Sequence, residues 1–243
     1  MKVRILFLHN VHIPLNNDRN QLILRQFKRL NMQDINQKPD LSNIKNIIFD
    51  FGNVLLNINP SLTAIAFKSL GIKDEADFFG GRSSLELMVK FERGQATSEE
   101  FIRAISAAVT GEINDQQIID AWNALLLDFP PERIELLTTL GQKYRLFLLS
   151  NTNQIHYEAY MHNFQQRYGF SLDILFEKLW FSHQIGLSKP DTAIFEYVLK
   201  DKSLLTEETL FIDDTLMHVE AARKTGMKAW HLLPGVEICN ALS

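Results

Sequence analysis

Apolar residues gather in short continuous runs, each stopping at a polar residue. The runs are Ile44–Phe49 before Asp50, Leu146–Leu149 before Ser150, Leu179–Phe181 before Ser182, Leu210–Ile212 before Asp213, and Lys228–Leu232. Between the later runs the spacing turns helical, over Pro131–Lys143, Gln154–Tyr168, Asp191–Lys200 and Leu216–Thr225. Strands that are apolar throughout, alternating with amphipathic helices, predict a parallel sheet covered on both faces. The fold expected is α/β, a Rossmann-like doubly wound parallel sheet.

Residues 60–130 break the alternation, with helical patterns and no convincing strand. Thr97-Ser98-Glu99-Glu100 reads as a capping box, and Asn114 with Gln117 as the start of a further helix. A helical insert after the first strand predicts a small α-helical cap over the carboxyl ends of the strands, where open α/β sheets bind ligands. The division expected is an N-terminal extension over 1–43, an α/β core over 44–59 and 131–243, and a cap over 60–130. The extension is rich in Asn and Gln. It holds one short helical pattern, Leu22 to Leu30, and Met32 offers an alternative start.

Composition narrows the function. Apolar residues make up 46% and charged residues 22%, as in an ordinary globular protein. The net charge of −4, without a dense basic run, argues against a nucleic-acid face. No apolar stretch reaches the ~20 residues needed to span a bilayer. The N-terminal Ile5-Leu6-Phe7-Leu8 is too short for a signal peptide, and the single cysteine, Cys239, cannot form an internal disulfide, so the chain reads as cytoplasmic.

The polar residues that end the runs are the candidates for chemistry. Asp50, followed by Phe51-Gly52-Asn53, is either a turn residue or a carboxylate able to attack phosphorus or bind a cation. Ser150, with the N–H of Asn151, either caps the next helix or holds phosphate oxygens. Lys189, in Ser188-Lys189-Pro190-Asp191, is either solvated or placed to neutralise charge. Asp213 and Asp214 repel each other at a strand end; a cation or a lysine relieves this, and magnesium suits such a pair. The alternative is a helix-capping pair. All four sites are expected at the carboxyl ends of successive strands, and so at one edge of the sheet.

Together these motifs resemble the haloacid dehalogenase superfamily, and within it the bacterial sugar-phosphate phosphatases similar to α-D-glucose-1-phosphate phosphatase. The resemblance rests on Phe49-Asp50-Phe51-Gly52-Asn53-Val54, Leu149-Ser150-Asn151-Thr152-Asn153, Lys189-Pro190, Ile212-Asp213-Asp214, and Glu92-Arg93-Gly94 in the insert. It implies that Asp50 forms an aspartyl-phosphate, that Asp50, the Gly52 carbonyl and Asp214 hold Mg2+ with Asp213 supporting, that Ser150 and Asn151 hold the phosphate, and that Lys189 balances charge. The implied substrate is a small phosphorylated metabolite, with Phe79, Arg82, Phe91, Glu92 and Arg93 as specificity candidates. Arg93 is counted with the substrate-binding residues.

Two departures stand out. Most phosphatases of the superfamily carry a second Asp two residues after the nucleophile, as acid and base; here that position is Gly52. His218 replaces a usual Asn and is expected either to face Asp214 or to be an ordinary surface or half-buried histidine. A non-catalytic binding protein, a phosphosugar mutase and a metal-independent dehalogenase are the competing readings. The first has only Gly52 in its favour, the missing Asp weighs against the second, and the Asp213–Asp214 pair against the third.

Overall fold

The computed structural model describes residues 38–72, 82–109 and 111–242. Most of the N-terminal extension, including Leu22–Leu30 and Met32, lies outside these residues, as does Phe79. The five runs form one parallel sheet: β1 (Asn46–Phe49), β2 (Arg145–Ser150), β3 (Lys178–Phe181), β4 (Thr209–Asp213) and β5 (Lys228–His231), in the order β3-β2-β1-β4-β5. Strand β1 is central, with Phe49 level with Leu148 of β2 and Ile212 of β4.

The period of two along each strand sorts side chains to two faces. Ile47, Phe49, Leu146, Leu148, Leu210 and Ile212 enter one apolar core, which also takes in Leu137 and Phe164. These come from α5 (Pro131–Leu140) and α6 (Gln154–Tyr168), on the same face as α10 (Ile238–Leu242). Ile48, Phe147, Leu149, Trp180 and Phe211 enter the other core, with Ile194, Phe195 and Val198 of α8 (Thr192–Asp201) and Ala221 and Ala222 of α9 (Leu216–Lys224). This two-sided burial is why the strands read as unbroken apolar runs. Each buried Phe or Leu contributes about 1.5–3 kcal/mol.

Between β1 and α5 the described residues form the helices α1 (Pro60–Ser69), α2 (Arg82–Glu92), α3 (Ser98–Ala108) and α4 (Asp115–Asn123). Both expected capping boxes form, Thr97 with Glu100 and Asn114 with Gln117. The helices bury a cluster of their own, in which Phe91 stacks on Phe101 at 4.5 Å and Trp122 lies 4.7 Å from Phe101. The two chain segments joining the insert to the core pair with each other: Leu127 N–H donates to the Asn57 carbonyl at 3.0 Å, Asn57 N–H to Asp128 at 2.9 Å, and Asn59 N–H to Leu125 at 2.8 Å.

Candidate active site

The chain runs from β1 to β2 on one side and later crosses from β3 over to β4 on the other. The strand order therefore reverses beside β1, and the crevice this opens lies at the carboxyl end of that strand. Asp50 is the first residue past β1, and its N–H donates to the Ile212 carbonyl at 2.8 Å, extending the sheet by one bond. Phe51 turns inward against Tyr160, at 4.7 Å, and Phe129, at 5.6 Å, anchoring the turn. Asn53 follows with φ 56°, a left-handed conformation that Asn tolerates better than most residues. That turn aims Asn53 Nδ2 at Asp214 Oδ2, 3.0 Å away.

Lys189 joins the ends of three strands. Its Nζ donates to Asp50 Oδ1 at 2.5 Å, Asp213 Oδ2 at 2.8 Å and the Leu149 carbonyl at 2.9 Å. Its side chain has no exposure, so the solvated reading fails. One part of the expected placement needs correction. Lys189 is not at the end of β3; Ser182 takes that place and opens the short helix α7 (Ser182–Ile185). The lysine arrives on the loop beyond, which Asn151 holds in place: Asn151 Nδ2 donates to the Lys189 carbonyl at 2.8 Å, and Lys189 N–H donates to Asn151 Oδ1 at 2.9 Å. Spacing along the chain could not reveal this, because the contact spans 38 residues.

Ser150 is buried at the end of β2. It does not cap α6; Asn153 does, accepting from His156 N–H at 3.1 Å. Ser182 Oγ, fully buried, clips the segment between them by accepting from Thr152 N–H at 2.9 Å and donating to the Thr152 carbonyl at 3.0 Å. Ser182 and Asn53 are supporting residues that the motif reading missed. Ser182 carried one signal, its place after an apolar run; Asn53 carried none beyond its place in the first motif.

The paired carboxylates separate in role. Asp213 is fully buried, and its oxygens face Lys189, Thr215 N–H at 2.7 Å and His218 Nδ1 at 3.0 and 3.1 Å. His218 thus faces Asp213 and not Asp214, because it sits in the first turn of α9, directly over the end of β4. Asp214 is half-buried, with its carbonyl 2.9 Å from His231 Nε2. Neither Asp supplies the α9 N-cap, which is Thr215.

Electrostatics follow from burial. Desolvation pushes the Asp50 carboxyl up to about 7, with the Asp213 charge adding to the rise and Lys189 opposing it. Desolvation also acts on Asp213, but Lys189 and His218 outweigh it and hold the group at about 2. Burial disfavours the Lys189 ammonium, yet the Asp213 and Asp50 charges raise its pKa above the usual lysine value. Asp50, Asp213 and Asp214 each offer an oxygen within 4.8 Å of the others. Three hard oxygen donors facing one lysine leave an excess of negative charge, which fits a hard divalent cation such as magnesium.

The insert meets the core through buried polar contacts. His156 of α6 stacks on Trp122 of α4 at 4.9 Å and 9°, with its Nδ1 2.8 Å from Asn123 Oδ1. Burial pushes this imidazole down to about 3. A base depressed from about 6.5 stabilises the fold above that pH, and the stabilisation fades as pH falls from 6.5 towards 3. Urea denaturation should therefore show wild type losing roughly 2 kcal/mol more than His156→Gln between pH 6.5 and 5. Equal losses would place the acid sensitivity elsewhere.

A doubly wound sheet with a helical insert after β1, and Asp, Lys and paired Asp at its switch point, defines an aspartate-centred hydrolase class. The haloacid dehalogenase-like hydrolase profile matches residues 47–231, and the chain belongs to that family. It is 28% identical to the D-ribitol-5-phosphate phosphatase of Bacteroides thetaiotaomicron, over 77% of this chain and 91% of that protein. It is also 28% identical to a sesquiterpene phosphatase of Aspergillus oryzae, over 82% and 94%. Among solved structures, a family enzyme of B. thetaiotaomicron in complex with magnesium and inorganic phosphate superposes with a TM-score of 0.74 at 32% identity, covering 80% of this chain and 96% of that one.

Proposed function

We propose that this chain is a magnesium-dependent phosphomonoester hydrolase acting on a small phosphorylated metabolite, with Asp50 as nucleophile. The observation that carries the reading is the convergence of Asp50, Lys189, Asp213 and Asp214 at one point of the sheet edge. Two relatives named as phosphatases, and the magnesium and phosphate held by a structural neighbour, support it.

In this reading Asp50, the Gly52 carbonyl and Asp214 hold the magnesium ion, with Asp213 supporting. Bound there, the ion neutralises charge on the phosphoryl oxygens. Asp50 attacks phosphorus in line, forming an aspartyl-phosphate that water then hydrolyses. Lys189 lies on the attacking carboxylate and neutralises charge developing beside it. Ser150 Oγ and the Asn151 N–H hold phosphate oxygens; the Asn151 side chain is already committed to Lys189. Asn53 orients Asp214. Residues 60–130 act as a cap over this point, and Arg93, whose Nε donates to Ser188 Oγ at 2.9 Å, presents its terminal nitrogens to substrate. Among the described residues no helix is long and apolar enough to cross a membrane.

The pure protein should hydrolyse p-nitrophenyl phosphate with magnesium and lose activity in excess chelator. Asp214→Ala should raise the magnesium concentration for half-activity more than about tenfold, since even indirect ligand support is worth 10–100-fold. Full turnover in chelator would remove the metal from the account.

A further inference from the structure

The Lys189 ammonium meets Asp50 and Asp213 only while its loop holds the backbone in place. That loop runs from Gly186, left-handed at φ 74°, to Asp191, the N-cap of α8. From the core, the Asn151 side chain clasps the Lys189 N–H and carbonyl. A second grip comes from the insert. Arg93, the first residue past α2, donates its Nε to Ser188 Oγ at 2.9 Å, and Ser188 is buried. Gly94, next in the chain, rests on α7, which leads into the same loop. Its φ is +65°, and a Cβ there would overlap the His183 carbonyl oxygen and stand 3.0 Å from the carbonyl carbon. Glycine alone allows this approach. Nor can α7 easily retreat: the His183 ring packs on Tyr157 at 5.4 Å and Phe181 at 6.1 Å, and Ser182 is bonded to Thr152.

We infer that Arg93 and Gly94 are positioning residues for Lys189: seated on Ser188 and α7, their turn lets the insert hold the lysine against Asp50. The loop is then gripped at adjacent residues from opposite sides, Ser188 by the insert and Lys189 by the core. The nitrogens of Arg93 divide their tasks. Nε fixes the loop, and the terminal pair is left for substrate. Lys189 follows Ser188 directly, so a displaced Ser188 carries the ammonium with it. A misplacement of about 1 Å can cost about 10²-fold in rate. The site is therefore complete only while the insert is seated.

The inference rests on Lys189 as the cation beside the proposed nucleophile, and one arm of the test needs no turnover. Gly94→Ala removes no polar group, and Ser188→Ala removes one hydroxyl and keeps the test open if Gly94→Ala melts too low. Each is labelled with acetic anhydride well below its melting temperature, and the modified lysines are read by mass spectrometry. The Lys189 side chain has no exposure, whereas Lys143 is exposed and serves as reference. Labelling of Lys189 relative to Lys143 should rise about tenfold or more in both variants, as local opening frees it. In the second arm, kcat on p-nitrophenyl phosphate at saturating magnesium should fall about tenfold or more, with KM within about threefold. Arg93→Ala should lose kcat to a similar degree and also raise KM. Adding Ser188→Ala to it should lower kcat no further, because both changes break the same grip. Lys189 as protected as in wild type, wild-type kcat in either single variant, or kcat losses that multiply in the double variant would each overturn the assignment. An inactive wild type whose variants expose Lys189 would uphold the positioning and count against the phosphatase reading.

Discussion

Asp50→Asn should lower kcat on p-nitrophenyl phosphate by about 10⁴-fold or more, the scale on which nucleophile removal acts, while leaving the fold in place. The amide keeps the shape of the carboxylate, and the Asp50 backbone stays bound to Ile212. Lys189 also keeps two of its three partners, Asp213 and the Leu149 carbonyl. What is lost is the charged oxygen proposed to attack phosphorus, together with one oxygen of the candidate metal set. The check is kcat beside a thermal melt: a folded variant retaining more than a trace of turnover would take the nucleophile role from Asp50.

Lys189→Met should be the most damaging single change to stability. It removes the cation that bridges Asp50 and Asp213 and leaves the fully buried Asp213 with His218 as its remaining side-chain partner. Breaking a buried ion pair from one side costs about 3–5 kcal/mol, because the remaining charge stays desolvated. Magnesium should return part of this, since a ligand that binds only the folded state at 100 times its Kd adds about 2.7 kcal/mol. Activity should stay at least about 100-fold down with the metal present, because the group lying against Asp50 is gone. Chemical denaturation with and without magnesium checks both parts. A stability change below 1 kcal/mol would mean that the carboxylates are already neutral. By the same reasoning Asp213→Ala, which strands the lysine, should harm the protein at least as much as Asp214→Ala, although the sequence casts Asp213 as the supporting member.

The sheet was legible because two-sided burial leaves no polar residue inside a strand, so the runs in β1, β2 and β4 stood out and their last residues named the edge. Capping boxes announced α3 and α4 because Thr97 with Glu100, and Asn114 with Gln117, satisfy helix N–H groups within one turn. Contacts that depend on distant segments were not legible. The Asn151 clasp on Lys189, the Arg93 bond to Ser188 and the Trp122–His156 stack join residues 34 to 95 positions apart and follow no local period. The contact of His218 with Asp213 was not legible, because helical spacing alone does not say which of two adjacent strand-end residues turns inward.

The central claim is that phosphate passes through Asp50. Mixing wild type with p-nitrophenyl phosphate and magnesium, quenching in acid within the first turnover and sequencing the peptides by mass spectrometry tests it directly. The account predicts one phosphoryl group on the peptide containing Asp50, at that residue and removable by hydroxylamine. A phosphoryl group on another residue, or an unmodified chain after a full burst of nitrophenol, would contradict it.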